Sequence, residues 1–115
     1  MAIPHASPGQ IIDISPLGER LAESKTVDLF KSNDIEVIRL VLLAGNSFPP
    51  HKVPGEVTIQ CIEGVMSVSA GGVDSILRVG QLVYLQGNVL HSVTALENAS
   101  ALVTIALAHL GVVQA

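Results

Sequence analysis

From Thr26 onward, apolar and polar positions alternate in short runs: Thr26–Phe30, Ile35–Leu43, Val57–Ile62, Val65–Ser69, Val73–Val79, Leu82–Leu85, His91–Leu96 and Leu102–Leu107. A period of two is the signature of strands. Turn residues separate the runs, at Ser32-Asn33-Asp34, Ala44-Gly45-Asn46, Glu63-Gly64, Gly71-Gly72 and Gly87-Asn88. Gly71-Gly72 predicts a tight hairpin, because both glycines accept positive φ. Pro49-Pro50 predicts a break in regular structure just before His51. Before Thr26 the pattern differs. Residues 1 to 14 show no period and read as an arm. Ser15 as N-cap, Pro16 at the first helical position and Leu17/Leu21 four apart predict a short N-terminal helix of about two turns. The expectation is an all-β chain of eight or nine strands, a sandwich or barrel over residues 26–110, preceded by an arm over 1–25.

Composition sharpens this picture. At 115 residues the chain fits one domain, and a domain of this size buries roughly 65% of its unfolded surface. Val, Leu and Ile number 39 against three aromatic residues, so the core is aliphatic and β-branched. With only 14% charged residues the chain is not of the disordered class. Its six basic residues are scattered and the net charge is -4, which argues against nucleic acid as a partner. Cys61 stands alone, excluding an internal disulfide or a cysteine-rich zinc module. The apolar stretch from Ala101 to Val113 is interrupted by Thr104, His109 and Gly111 and falls short of the ~20 residues of a membrane helix. The first residues, MAIPHASPGQ, lack a basic segment followed by an apolar one, so a cytoplasmic location away from membranes is expected. A mean hydropathy of +0.55 is high for so small a domain; an apolar surplus of this kind belongs in a subunit interface, and a homodimer is expected.

Few residues carry chemistry. No glycine-rich loop precedes a helix, and no G-x-S-x-G elbow occurs. Cys61 lies mid-strand without a basic neighbour and reads as a small core residue. His5 and His109 lie in the arm and near the tail and look incidental. His51 and His91 each stand at the start of a strand behind a rigid turn, where a barrel aims side chains at a pocket.

The spacing around these two histidines resembles the cupin superfamily of small RmlC-like barrels. Gly45, His51 and Gly64 fall on the first cupin motif, whose second histidine and glutamate are replaced by Val53 and Val57. Gly80 and His91 fall on the second motif, with Gln86, Asn88 and Ala95 in place of its proline, glycine and asparagine. Asn88 is a tolerable stand-in for glycine, since Asn enters the left-handed region more readily than most residues. The resemblance implies a double-stranded β-helix, or jelly-roll barrel. Cupins with the full motif hold a divalent metal through three histidines and a glutamate. Here that leaves His51 and His91 as candidate metal ligands (for Fe, Mn, Zn or Ni, or for no metal) and as candidate catalytic residues. Glu56 and Gln60 are candidate third ligands: regular strand register turns both outward, whereas a bulge at Pro54-Gly55 turns them inward. With Tyr84, which could close a pocket or simply pack, they form the candidate ligand-binding set.

Two readings of function follow. In the first, the chain is a binding module of unassigned activity. It takes a small molecule at His51/His91, with or without a weakly held metal, in a barrel lined by Val53, Val57, Ile59, Met66, Val83 and Val93. In the second, it is a metal-dependent enzyme of dioxygenase or isomerase type. A third ligand beside the two histidines favours the enzyme, and an apolar ring favours the binding module.

Overall fold

The computed structural model describes residues 5–107, so His109 lies outside the described residues. Nine strands follow one short 3-10 helix, Gly18–Glu23: β1 (Val27–Lys31), β2 (Ile35–Leu42), β3 (Ser47–His51), β4 (Val57–Glu63), β5 (Val65–Ala70), β6 (Val73–Arg78), β7 (Leu82–Leu85), β8 (His91–Ala95) and β9 (Ala99–Ala106). They form a five-stranded sheet ordered β1-β2-β9-β4-β7 and a four-stranded sheet ordered β3-β8-β5-β6, with every pairing antiparallel. Among the described residues no helix is long and apolar enough to cross a membrane.

Alternation along the strands decides what fills the space between the sheets. Leu40, Val57, Ile59, Cys61, Leu85, Ala99 and Ala101 point inward from the larger sheet, and Met66, Val68, Leu77, Val93 and Ala95 meet them from the smaller one. Burial raises the Cys61 thiol above its ordinary value, which makes it an inert core residue as expected. The hairpin glycines adopt φ of 58° and 83° at Gly71 and Gly72. Asn88, at φ 63°, is the non-glycine in the left-handed region among the described residues.

Three expectations need correction. Pro49-Pro50 does not prevent a strand: both prolines lie within β3, which is an edge strand and loses register between Phe48 and His51. An edge tolerates proline because one side of the strand has no ladder to feed. β9 begins at Ala99, three residues before the first bulky residue, because it lies in mid-sheet and pairs with both β2 and β4. The residues there are Ala99, Ser100 and Ala101, all fully buried, so small size rather than strand propensity suits them to the site. Third, the helix begins after Ser15. The Ser15 N–H donates to the Asp13 carboxylate at 2.9 Å and caps nothing.

Glu63 binds the start of the helix instead, from 46 positions away. Its carboxylate accepts from the N–H groups of Leu17 (2.9 Å) and Gly18 (3.0 Å), and from the Ser100 hydroxyl. Arg39 Nη2 donates to Glu63 at 3.2 Å, to the Ser15 carbonyl at 2.6 Å and to the Ser100 hydroxyl at 3.3 Å. Burial alone would push the Glu63 carboxyl up. The Leu17, Ser100 and Gly18 donors and the Arg39 charge outweigh it and hold the carboxyl below its ordinary value. This clasp ties the arm across the outer face of the larger sheet, where Leu21 is 3% exposed.

Candidate functional site

His51 is the last residue of β3 and His91 the first of β8, and the two are register partners. Their ring centroids lie 4.3 Å apart, with the planes inclined at 57°. His91 is buried and His51 half-buried. Each ring makes the same local hydrogen bond, from Nδ1 to the carbonyl two residues upstream: Pro49 at 3.2 Å for His51 and Val89 at 3.0 Å for His91. A carbonyl only accepts, so Nδ1 carries the proton in both rings, and in the neutral imidazole Nε2 keeps its lone pair. Among the described residues neither Nε2 has a hydrogen-bond partner. Phe48 packs edge-on against His51, centroids 4.8 Å apart.

The loops before β4 and β8 are bound to each other, and this holds the pair in place. The Asn88 N–H donates to the Val53 carbonyl at 2.8 Å. Gly87 lies so close to the first loop that a Cβ there would stand 2.1 Å from the Pro54 carbonyl oxygen, so only glycine fits.

Beneath the histidines is a cavity of about 100 Å³. Ile38 and Leu40 of β2, Val57 and Ile59 of β4 and Val103 and Ile105 of β9 line it from the larger sheet, and Phe48, His51, His91 and Val93 from the smaller. Val53 and Thr26 complete the wall. The Thr26 hydroxyl accepts the Val41 N–H at 3.0 Å and so is already engaged. The two imidazoles are therefore the polar groups the wall leaves open. Of the six residues expected to line the barrel, Val53, Val57, Ile59 and Val93 do so. Met66 is buried in the core away from the cavity, and Val83 packs against that core.

Glu56, Gln60 and Tyr84 are not brought to the histidines. All three are exposed, and none lines the cavity. The bulge that would have turned Glu56 and Gln60 inward does not form: β4 pairs regularly with β7 and β9 from Val57 to Gln60, and its irregularity falls between Cys61 and Glu63. Strand parity then puts Gln60 outside with Thr58, whose register partner is Tyr84. The Tyr84 hydroxyl donates to Glu56 on that outer face, and this hydrogen bond pushes the phenol above its ordinary value. No group of three or more histidine, cysteine or carboxylate side chains that could hold a metal occurs among the described residues. Two imidazoles with valines at the other two motif positions do not fit a centre that wants three or four protein ligands.

Sequence reasoning missed Phe48, Ile38, Leu40, Val103 and Ile105 in the wall. The signal was the alternation itself: Ile38 and Leu40 share one face of β2, and Val103 and Ile105 share one face of β9.

Comparison with solved structures gives the class. The chain has the cupin fold. An RmlC-like cupin protein from Desulfovibrio desulfuricans superposes with a TM-score of 0.70 at 22% identity, covering 84% of this chain and 97% of that one. A cupin superfamily protein from Desulfitobacterium hafniense gives 0.72 at 10% identity, with 85% and 95% covered. A conserved protein of unknown function from Streptococcus pyogenes gives 0.73 at 14% identity, with 95% and 96% covered. No family model matches the chain, and no curated protein does.

Proposed function

We propose that this cupin-fold chain is a binding module that takes a compact, mostly apolar small molecule in the barrel cavity, with His51 and His91 as its polar contacts. The observation that carries the reading is the pairing of two imidazoles, 4.3 Å apart, over a mostly apolar cavity. Concave apolar sites with a few convergent polar groups are the usual form of a ligand site. The donor set does not fit a metal centre, so the ligand is held by the side chains themselves.

The test is a thermal-shift screen of small neutral compounds against the wild type and Val103→Phe, which fills the cavity from β9. A ligand at a hundred times its Kd stabilises by about 2.7 kcal/mol. Compounds should raise the Tm of the wild type and not of the variant. No stabilising compound, or equal stabilisation of both proteins, overturns the reading.

In the same reading the chain works as a homodimer. Leu82 and Tyr84 are 57% and 54% exposed at the free edge of the larger sheet, apolar surface suited to a second copy. Light scattering at micromolar concentration should give twice the chain mass, and a monomer removes this part of the proposal.

A further inference from the structure

We infer that the histidine pair is a double hydrogen-bond acceptor for the O–H or N–H end of an uncharged, benzene-sized ligand, which makes the cavity selective for neutral donors over both hydrocarbons and anions. The inference rests on the cavity reading above and deepens it. Three observations carry it. First, both Nδ1 atoms are committed as donors to backbone carbonyls, at 3.2 and 3.0 Å, so what each neutral ring offers a ligand is an acceptor. The arrangement is local to each ring, carbonyl i−2 to ring i, so emptying or filling the cavity does not disturb it. Second, no arginine, lysine or amide side chain lines the cavity, and its one hydroxyl, on Thr26, is tied to Val41. A carboxylate or phosphate would therefore bring acceptor oxygens against acceptor nitrogens and bury a charge without a partner, which is strongly unfavourable. A sugar would leave most of its hydroxyls unpaired against Ile38, Val57 and Ile105. Third, a volume of about 100 Å³ sets the size. Apolar cavities on this scale take a guest about as large as benzene. One end of such a guest reaches the imidazoles and the rest meets aliphatic side chains.

The experiment compares phenol, toluene and benzoate at pH 8.5 by calorimetry and by nitrogen NMR of the imidazole rings, which reads the protonation of each ring directly. Phenol and toluene have nearly the same shape and differ in the donor. Benzoate carries the charge. Phenol is expected to bind about tenfold more tightly than toluene, the worth of one net hydrogen bond, and to shift the Nε2 resonance of His51 or His91 while leaving Nδ1 in place. Benzoate is expected not to bind. Replacing the ring whose Nε2 shifts, by His91→Leu or His51→Leu, should weaken phenol, and replacing both should bring phenol down to the affinity of toluene. Should the double variant fail to fold, the single variant at the shifted ring still has to narrow the gap between phenol and toluene. Equal affinities for phenol and toluene, or a preference for benzoate, would overturn the acceptor assignment while leaving the cavity as a binding site. If neither phenol nor toluene binds, the cavity reading falls and this inference falls with it.

Discussion

The outer face of the larger sheet and the inner face of the barrel treat buried polar groups in opposite ways. On the outer face, Arg39, Glu63 and Ser100 form a clasp in which the carboxylate takes four donors and the guanidinium Nη2 three acceptors. Arg39 Nε is buried there without a partner among the described residues. On the inner face, across the cavity from the larger sheet, His51 of β3 and His91 of β8 satisfy Nδ1 and leave Nε2 without a partner among the described residues. A buried polar group is costly unless paired. The saturated cluster has spent its hydrogen-bonding capacity on holding the arm. The unsaturated pair has capacity left, which is what a ligand site requires. Charge alone would have pointed to the wrong place, since the ions are in the clasp.

The contrast breaks if removing a clasp residue proves harmless. Arg39→Ala leaves the Glu63 carboxylate buried without its cation, a loss of about 3–5 kcal/mol for mostly buried pairs. With side chains 8% and 14% exposed, both partners qualify. The Tm of this variant should fall by more than about 10 °C, and its arm should become the first site cut in limited proteolysis. A shift of a few degrees with an intact arm would mean that the clasp is ornamental.

His91→Ala is expected to do less to stability and more to binding. The side chain is 5% exposed and touches the cavity, so its loss enlarges a space that is already open, at a cost of about 1–2 kcal/mol. The barrel should still melt cooperatively, yet the advantage of a donor such as phenol over toluene should shrink. Unfolding of this variant at 25 °C would show the imidazole to be structural, like the clasp, and would erase the difference between the two faces.

Acid separates the faces by a smaller effect. Glu63 has its carboxyl held below the ordinary 4.5, so its contribution is fully present above that value and is lost as pH falls through the lowered folded value. Tm measured from pH 7 down to pH 3 should decline at the acid end, and Glu63→Gln should flatten that limb. Glu36 titrates in the opposite sense. The neighbouring Asp28 carboxyl raises it, so its ionised form opposes folding at neutral pH. Glu36→Gln should therefore raise the Tm slightly at pH 7 and leave it unchanged at pH 3. Equal acid limbs in the wild type and the Glu63 variant would remove the electrostatic account of the clasp.

How much of this was legible in the chain depends on whether the cause is local. The Gly71-Gly72 hairpin and the left-handed Asn88 are written in consecutive residues, because backbone sterics there select the residue type. The outward parity of Gln60 was legible for the same reason; the inward alternative required a bulge that the ladder with β7 and β9 does not permit. The clasp was not legible. Arg39, Glu63 and Ser15 are far apart along the chain, and a lone arginine in an apolar run looks like a surface residue until the arm is folded over it. The histidine pair stood between these cases: the turns before them and the resemblance singled out both residues, but their approach to 4.3 Å exists only once β3 and β8 are side by side.

The smallest expected effect is the sharpest on the nature of the inner face. A structural zinc with a full ligand set contributes about 10–16 kcal/mol to folding, so stripping it lowers the Tm dramatically. His51 and His91 supply two imidazoles, Val53 and Val57 supply none, and Glu56 and Gln60 face the opposite side of the sheet. Protein purified without chelators should therefore show the same Tm before and after dialysis against EDTA, within about 1 °C, and titration with zinc should not raise it. Under the same dialysis the stabilisation by a cavity ligand should persist, because that ligand is held by Nε2 and by aliphatic contacts. A chelator-sensitive Tm would require a third donor, which could come only from outside the described residues or from a second copy. The inner face would then resemble the outer one, with its polar groups already spent.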